Sequence, residues 1–371
     1  MMRRKIKFIG GGINSAIGHS HLSACLMDGL WEVSPSFFSR TKSINKQTHQ
    51  KYNLPWLDHP QNLEEFLDDA VGNPDLLVIS TPSTSHYDLV REVLDRRIPV
   101  LVEKPIACNI SESDLILQKL QADPTLYLRY VHNYSLYPMF QEMELRVKSG
   151  SLGEIKHIRA QAPSDGFARI EKTGLPQTWR QSDGKIPMIA LDLATHLFHL
   201  VHRLVDPSSG KLVANAKRLS APFDVIDNMQ IHCEMDSGPI IDYWFSKAHL
   251  GFKNGLCIEV FGENGAFHWT QENPDQLIFA DIDSNQTIIN RGSIDAELRT
   301  NGRFKAGHPT GFVESMGYFY NHLHNDLENF LNAGKPNPWI NPAQCACAGV
   351  VFLEQAYQSA IEEEWIYDAM V

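Results

Sequence analysis

Lys5-Ile6-Lys7-Phe8-Ile9 runs straight into Gly10-Gly11-Gly12-Ile13-Asn14-Ser15-Ala16-Ile17-Gly18, and this stretch limits the fold more than any other. The first five residues read as a strand. A helical pattern then passes through His21, Leu22, Ala24, Cys25 and Leu26 to Gly29, a residue suited to a C-terminal stop. Strand, glycine turn and helix form the context of a phosphate-binding loop. The glycines let the backbone approach a pyrophosphate, and the helix start supplies free N–H groups and a positive dipole end. The spacing departs from G-x-G-x-x-G, because the last glycine, Gly18, comes late. A tight strand–helix turn with no ligand would use the same residue types.

The next segments repeat the alternation. A second strand around 32–39 leads to Phe38-Ser39-Arg40-Thr41-Lys42. Sites for NAD place an acid there to bond the ribose 2′-hydroxyl, whereas an arginine accommodates a 2′-phosphate. With Ser39 and Arg40 in place of an acid, the lean is towards NADP, although a solvated residue at a helix start would equally be an arginine. Leu76 to Ser80 reads as a buried strand closed by Thr81-Pro82. A helix is expected from about 83 to 96, with Ser83, Thr84 or Ser85 as its cap and His86 near its start. Val100-Leu101-Val102 is a short buried strand that ends in Glu103-Lys104-Pro105. Ligands of open parallel sheets bind beyond the carboxyl ends of the strands, where Lys104 would stand at the mouth of a site; a strand that simply ends in a charged turn would use the same residues. A helix over 111–121 and a strand over 126–131 complete a doubly wound parallel sheet, a Rossmann domain over 1–131.

From about residue 155 the style changes to longer strands of period-2 alternation. Runs at 229–235, 240–248, 256–261 and 266–271 are separated by Asp236-Ser237-Gly238, Lys253-Asn254-Gly255 and Glu263-Asn264-Gly265, all hairpin signals. These predict an antiparallel meander in a second, α+β domain over 132–371. Helices are expected near 139–149, 189–203, 319–331 and 342–362. Helices should cover one face of the sheet. The other, carrying Tyr243 and Phe245 or their alternating partners, would be a large apolar patch, which predicts a homodimer or homotetramer.

Bulk properties exclude several classes. Of 371 residues 43% are hydrophobic and 21% charged, as in a soluble protein of about two domains. A net charge of −11 argues against nucleic-acid and anionic-membrane surfaces. No apolar run approaches the ~18 residues that span a bilayer. Met1-Met2-Arg3-Arg4-Lys5 imitates the start of a signal peptide, but only Ile6 to Ile9 follow before the glycines. The cysteines at 25, 108, 233, 257, 345 and 347 show no paired spacing, which predicts reduced thiols in the cytoplasm.

In the second domain the informative helix is 188–199. Asp192 and His196 are four apart, on one helical face, among apolar neighbours where burial and mutual interaction shift pKa values. Such a pair can also be purely structural. Asp192, His196 and His199 share the spacing of helix-borne metal ligands, but no companion ligand motif accompanies them, and no metal is expected.

Together these residues resemble the glucose–fructose oxidoreductase/inositol dehydrogenase (Gfo/Idh/MocA) family. The glycine turn at 10–18, Thr81-Pro82 with His86, Glu103-Lys104-Pro105 and Asp192-x-x-Thr195-His196 match its pattern in order. The similarity continues through Trp179-Arg180, Gly262-x-x-Gly265 and Gly307-His308-Pro309-x-Gly311-Phe312. The sequence departs from the family at Lys185 to Ala190, where a glycine-rich run is common, and at Ala194, where glycine is frequent. Those changes touch the pocket wall and bear on substrate identity more than on reaction type.

The resemblance implies an NAD(P)-dependent oxidoreductase acting on a sugar, cyclitol or related polyol. By position Lys104 and His196 would be catalytic and Asp192 would assist. Gly10, Gly12, Ile13, Asn14, Ser39, Arg40, Thr81, Pro82, His86, Glu103 and Lys104 would hold the cofactor, NADP or NAD. His132, Asn133, Tyr134, Trp179 and Arg180 are polar or aromatic residues at expected substrate-pocket positions. A sensor that binds dinucleotide without turnover shares the fold, but would be expected to lose the lysine or the histidine, and both are present.

Overall fold

The computed structural model describes residues 3–56, 62–206, 208–293 and 303–370. Met1 and Met2 of the basic N-terminal stretch lie outside them. The chain forms two compact units: Met1–Ala107, Ser111–Asn133 and Gly311–Cys347 make the first, and Cys108–Ile110, Tyr134–Thr310 and Ala348–Val371 the second. Residues 311–347, which the sequence division left in the second domain, therefore return to the first.

The first unit is built on five parallel strands, β1 (Arg4–Gly10), β2 (Trp31–Val33), β3 (Leu76–Ser80), β4 (Val100–Val102) and β5 (Leu128–Tyr130), in the order β2-β1-β3-β4-β5. Leu76 to Ile79 and Val100 to Val102 are completely buried, as strands covered by helices on both faces must be. The second strand is shorter than its apolar run suggests. Pro35 brings no N–H to the ladder, so pairing stops at Val33 and resumes only as a single bridge between Phe37 and Ile9. The order reverses between β1 and β3, the switch point where open α/β sheets bind ligands.

The returning helix Phe312–Leu331 explains why residues 311–347 join this unit. Glu314 folds back onto the Gly311 amide at 2.6 Å, so the helix starts seven residues before the expected Phe319. Its Tyr320 carbonyl accepts from the Trp31 indole at 3.0 Å, and Phe319 and Tyr320 are buried. The unit thus closes its core with residues almost 300 positions away, which local periodicity cannot reveal.

The second unit carries a nine-stranded sheet: β6 (Ile155–Pro163), β7 (Ser209–Lys217), β8 (Asn228–Met235), β9 (Ile240–Ser246), β10 (Cys257–Gly262), β11 (Gly265–Thr270), β12 (Gln276–Asp281), β13 (Gln286–Asn290) and β14 (Ile366–Met370). Their order is β13-β12-β11-β10-β6-β9-β8-β7-β14, antiparallel throughout except for the β6–β9 pair. The turns at 236–238 and 263–265 are hairpins, as expected. The segment at 253–255 is not: β6 lies between β9 and β10, and Gly255 donates to the Pro163 carbonyl as the chain passes the end of β6.

Ile241, Tyr243 and Phe245 face inward and are buried, with Tyr243 5.2 Å from Phe352 and Phe352 5.0 Å from Phe198. Their outward partners overturn the expected apolar patch. Asp242 accepts from His157 Nε2 and His232 Nδ1, each at 2.7 Å, and Arg159 pairs with Glu259 beside them. Burial opposes ionisation of Asp242, but the two histidine hydrogen bonds outweigh it and hold its carboxyl below the usual range. A concavity of about 760 Å³ lies on this polar face, with Gln230, Asp242 and Trp244 in its wall. Among the described residues no helix is long and apolar enough to cross a membrane.

Candidate active site

In the first unit the glycine loop is shaped by close approach. A Cβ on Gly10 would lie 2.5 Å from the Ser80 carbonyl oxygen, and one on Gly18 would lie 2.0 Å from the Gly11 oxygen. Only glycine lets the end of β1, the end of β3 and the start of the helix Ala16–Leu26 meet. Gly18 therefore does the helix-packing work, and Ser15 caps the helix, its Oγ accepting from the Gly18 amide at 3.2 Å. The late glycine is a packing residue rather than a defect in the motif. Gly12 accepts the Ser15 amide at 2.7 Å, and Ile13 donates to Thr48 Oγ1 at 3.1 Å, which fixes the loop between them.

The hydroxyls of Ser80 and Ser83 are buried at the end of β3 and just beyond it, and neither has a hydrogen-bond partner among the described residues. Orphaned donors beside a close-packed glycine turn and a helix start fit a dinucleotide pyrophosphate. Thr81 Oγ1 and Ser85 Oγ lie 2.8 Å apart on the same loop, with Pro82 exposed between them. Arg40 is exposed beyond Ser39, whose Oγ accepts from the Thr41 amide at 3.1 Å.

Two residues expected to touch the cofactor are used differently. His86 is buried and sits between the Pro105 carbonyl at 2.6 Å and the Thr81 carbonyl at 2.9 Å, so it ties two loops together instead of lining an open surface. Burial lowers its pKa against the pull of those carbonyls. Glu103 is also buried: Oε1 accepts from His21 Nε2 at 2.9 Å and Oε2 from the Lys104 amide at 3.0 Å. Burial pushes its carboxyl up, but the His21 hydrogen bond prevails and holds it below the ordinary value. Tyr320 completes the chain with its hydroxyl 2.6 Å from His21 Nδ1. Lys104, half-buried and joined to Pro105 by a cis peptide bond, thus projects from a backbone anchored by Glu103 and His86.

His132 and Asn133 depart from the substrate-pocket expectation. Both are buried in the first unit: His132 Nε2 accepts from the Asn341 amide at 3.3 Å, and Asn133 Nδ2 donates to Ser315 Oγ at 3.0 Å. They follow β5 directly and turn into the core that the returning helix completes.

In the second unit the expected regular helix is interrupted. Ala190–Ala194 is a π-turn that leads into the α-helix Thr195–Leu204. Such turns are uncommon and cluster at functional sites. Asp192, on this turn, is held at both oxygens: Arg180 Nη2 is 3.3 Å from Oδ1 and Lys247 Nζ is 2.5 Å from Oδ2. Arg180 stacks 4.2 Å over the half-buried Trp179 and donates from Nη1 to Gln177 Oε1 at 3.0 Å. His196 is half-buried, and its ring meets the Tyr134 ring edge-on, centroids 4.6 Å apart. His199 turns away to Ser135 Oγ at 3.1 Å in the core.

The sequence reading missed Lys247. The signal was present: Ile241, Tyr243 and Phe245 set the inward phase of β9, and Lys247 continues it. A lysine on the buried side of a strand demands a partner, and Asp192 is that partner. His21 was read only as part of a helical pattern, since its partner Glu103 is 82 positions away.

Fold and loop geometry together define a dinucleotide-binding α/β protein with an appended α+β domain. Residues 4–128 match the oxidoreductase family with an NAD-binding Rossmann fold, and residues 140–268 match the GFO/IDH/MocA C-terminal domain. The chain belongs to the Gfo/Idh/MocA family. It is 22% identical over 326 residues to the uncharacterized oxidoreductase YfiI of Bacillus subtilis, covering 84% of this chain and 82% of that one. It is 21% identical to the scyllo-inositol 2-dehydrogenase (NADP(+)) IolW of the same organism, over 71% of this chain and 68% of the relative. Its fold is similar to that of an inositol dehydrogenase homolog from Azotobacter vinelandii solved with NADH and myo-inositol: the TM-score is 0.88 at 20% identity, covering 99% of this chain and 98% of that one.

Proposed function

We propose that this protein is an NAD(P)-dependent dehydrogenase that oxidises a CH–OH group of a sugar, cyclitol or related polyol, or reduces the matching carbonyl. The observation that carries the reading is the pairing of chemistry within the second unit: His196 beside Tyr134, four residues beyond a carboxylate clamped by two cations. An imidazole with an ordinary value near ~6.5 suits a proton acceptor at neutral pH. The kinship to inositol dehydrogenases supports the polyol class.

The bound nicotinamide supplies the hydride acceptor. His196 takes the hydroxyl proton as the carbinol C–H bond breaks, leaving the substrate as a carbonyl compound. Lys104 donates a hydrogen bond to the reacting oxygen and stabilises its developing charge. Asp192 supports His196, while Trp179 and Arg180 offer a stacking surface and donors to substrate hydroxyls. The loop Gly10–Gly18, with Ser80 and Ser83, holds the pyrophosphate, and Arg40 favours a 2′-phosphate on the ribose. Self-association as a homodimer or homotetramer belongs to the same reading, and light scattering at micromolar concentration tests it.

The deciding experiment follows nicotinamide absorbance while the protein is offered NAD or NADP with a panel of inositols, aldoses and sugar acids. Turnover of at least one alcohol establishes the dehydrogenase. Tight binding of either cofactor with no turnover across the panel would instead make the protein a dinucleotide-binding sensor.

A further inference from the structure

Lys247 has no place in the family pattern drawn from the sequence, yet both its backbone and its side chain are fixed. Its amide donates to the Asp227 carbonyl at 2.8 Å, and its own carbonyl accepts from the Phe167 amide at 2.7 Å. The side chain is only 15% exposed and lies 5.5 Å over the Phe167 ring before reaching Asp192. A lysine so fixed delivers its charge to one point.

That point is on a π-turn, and this matters for what Asp192 can do. In a regular α-helix a carboxylate four residues before an imidazole lies directly beneath it. The extra residue of a π-turn rotates the side chains that follow, so helix geometry alone no longer sets where Asp192 aims. External partners must set it, and Lys247 and Arg180 occupy its two oxygens.

We propose that Lys247 is a positioning residue for the base His196: it holds the Asp192 carboxylate and balances its charge, so that His196 stays neutral and ready to accept a proton. This rests on the dehydrogenase reading above. The groups around His196 within its own unit give the argument its sign. Tyr134 presents a neutral ring edge from the turn Asn133–Leu136, and Thr195 Oγ1 is committed to the Leu191 carbonyl at 3.1 Å. His199 is committed to Ser135. Asp192 is an anion on the adjoining turn, and Arg180 and Lys247 are cations paired with it. An uncompensated carboxylate next to an imidazole favours the imidazolium, which cannot accept a proton. With two cations on it, the carboxylate exerts much less of that pull.

The test follows the titration of His196 by NMR of the imidazole C–H groups, assigned by loss of its signal in His196→Gln. Wild type is compared with Lys247→Met, Lys247→Arg and Asp192→Asn, each without substrate. Lys247→Met is expected to move the His196 midpoint up by roughly half a pH unit or more, and Asp192→Asn to move it down. Lys247→Arg restores the wild-type value. In turnover, the acidic limb of the kcat/KM profile should move with the midpoint in Lys247→Met. An unmoved midpoint in Lys247→Met, or shifts of the same sign in Lys247→Met and Asp192→Asn, overturns the proposal. Should Lys247→Met fail to fold, Lys247→Gln takes its place with the same expectation. Because the NMR arm needs no catalysis, opposite shifts in a protein that turns over no alcohol would leave Lys247 in its role and remove the dehydrogenase reading instead.

Discussion

His21 Nε2 donates to Glu103 Oε1 at 2.9 Å across 82 positions of sequence, and both residues are buried. The bond joins the helix after the glycine loop to the acid that anchors the Lys104 amide. His21→Leu strands a buried carboxylate and should cost about 3 kcal/mol of stability. His21→Leu with Glu103→Gln should recover part of that loss. Urea unfolding of the single and double variants measures the coupling, and additive losses would show that the two residues act independently.

The proposed preference for NADP rests on Arg40. NADP should bind at least as tightly as NAD, and Arg40→Ala should weaken NADP by about tenfold, the worth of a charge-assisted contact, while NAD changes little. Fluorescence titration of both cofactors decides it. Equal losses for the two, or a clear wild-type preference for NAD, would remove Arg40 from the ribose site.

His196→Ala should lower turnover by ~10²–10⁴-fold, the usual contribution of a positioned general base. Cofactor affinity should barely change, since the glycine loop belongs to the other unit. Lys104→Ala should also reduce turnover, and the double variant should lose far less than the product of the two if they serve one proton transfer. The measurement is turnover per folded, cofactor-saturated subunit. Wild-type rates in a folded His196→Ala protein would refute the assignment.

Acid sensitivity should trace in part to His202. Its two ring nitrogens are buried, with no hydrogen-bond partner of good geometry among the described residues, and burial lowers its pKa from 6.5 to about 4. As pH falls below 6.5 the unfolded chain takes up this proton and the native chain does not, so stability declines from 6.5 down to about 4. The full effect is roughly 3 kcal/mol at most. His202→Leu removes the titration and the two unpaired nitrogens. Its urea midpoint should therefore fall less than wild type between pH 7 and 4.5, and parallel declines would show that other groups carry the acid response.

Much of the first unit could be read along the chain because its determinants are local. Apolar runs of strand length, the glycines after β1 and the prolines after β3 and β4 specify a parallel sheet with its ligand edge. The hairpins at 236–238 and 263–265 were legible for the same reason. Spacing along the chain was enough to single out Asp192 and His196 as candidates, and the place after a buried strand to single out Lys104.

Tertiary structure decided what each of these residues is spent on. A period-2 pattern cannot say which strands are neighbours, so β6 entered between β9 and β10 unannounced and turned an expected hairpin into a passage across its end. Nor could the pattern foretell that residues 311–347 would complete the first unit, since Trp31 and Tyr320 meet across 289 positions. His86, His132 and Asn133 looked like site residues because polar side chains near strand ends often are. Folding buried them, and a buried polar group must take the nearest partner: here the carbonyls of Thr81 and Pro105, the Asn341 amide and the Ser315 hydroxyl. Lys247 moved the other way, from an unremarked strand end to the cation on Asp192. Sequence specifies which groups carry charge and which face of an element is apolar. Only the packed chain brings a distant lysine and carboxylate within 2.5 Å and makes each the condition of the other's burial.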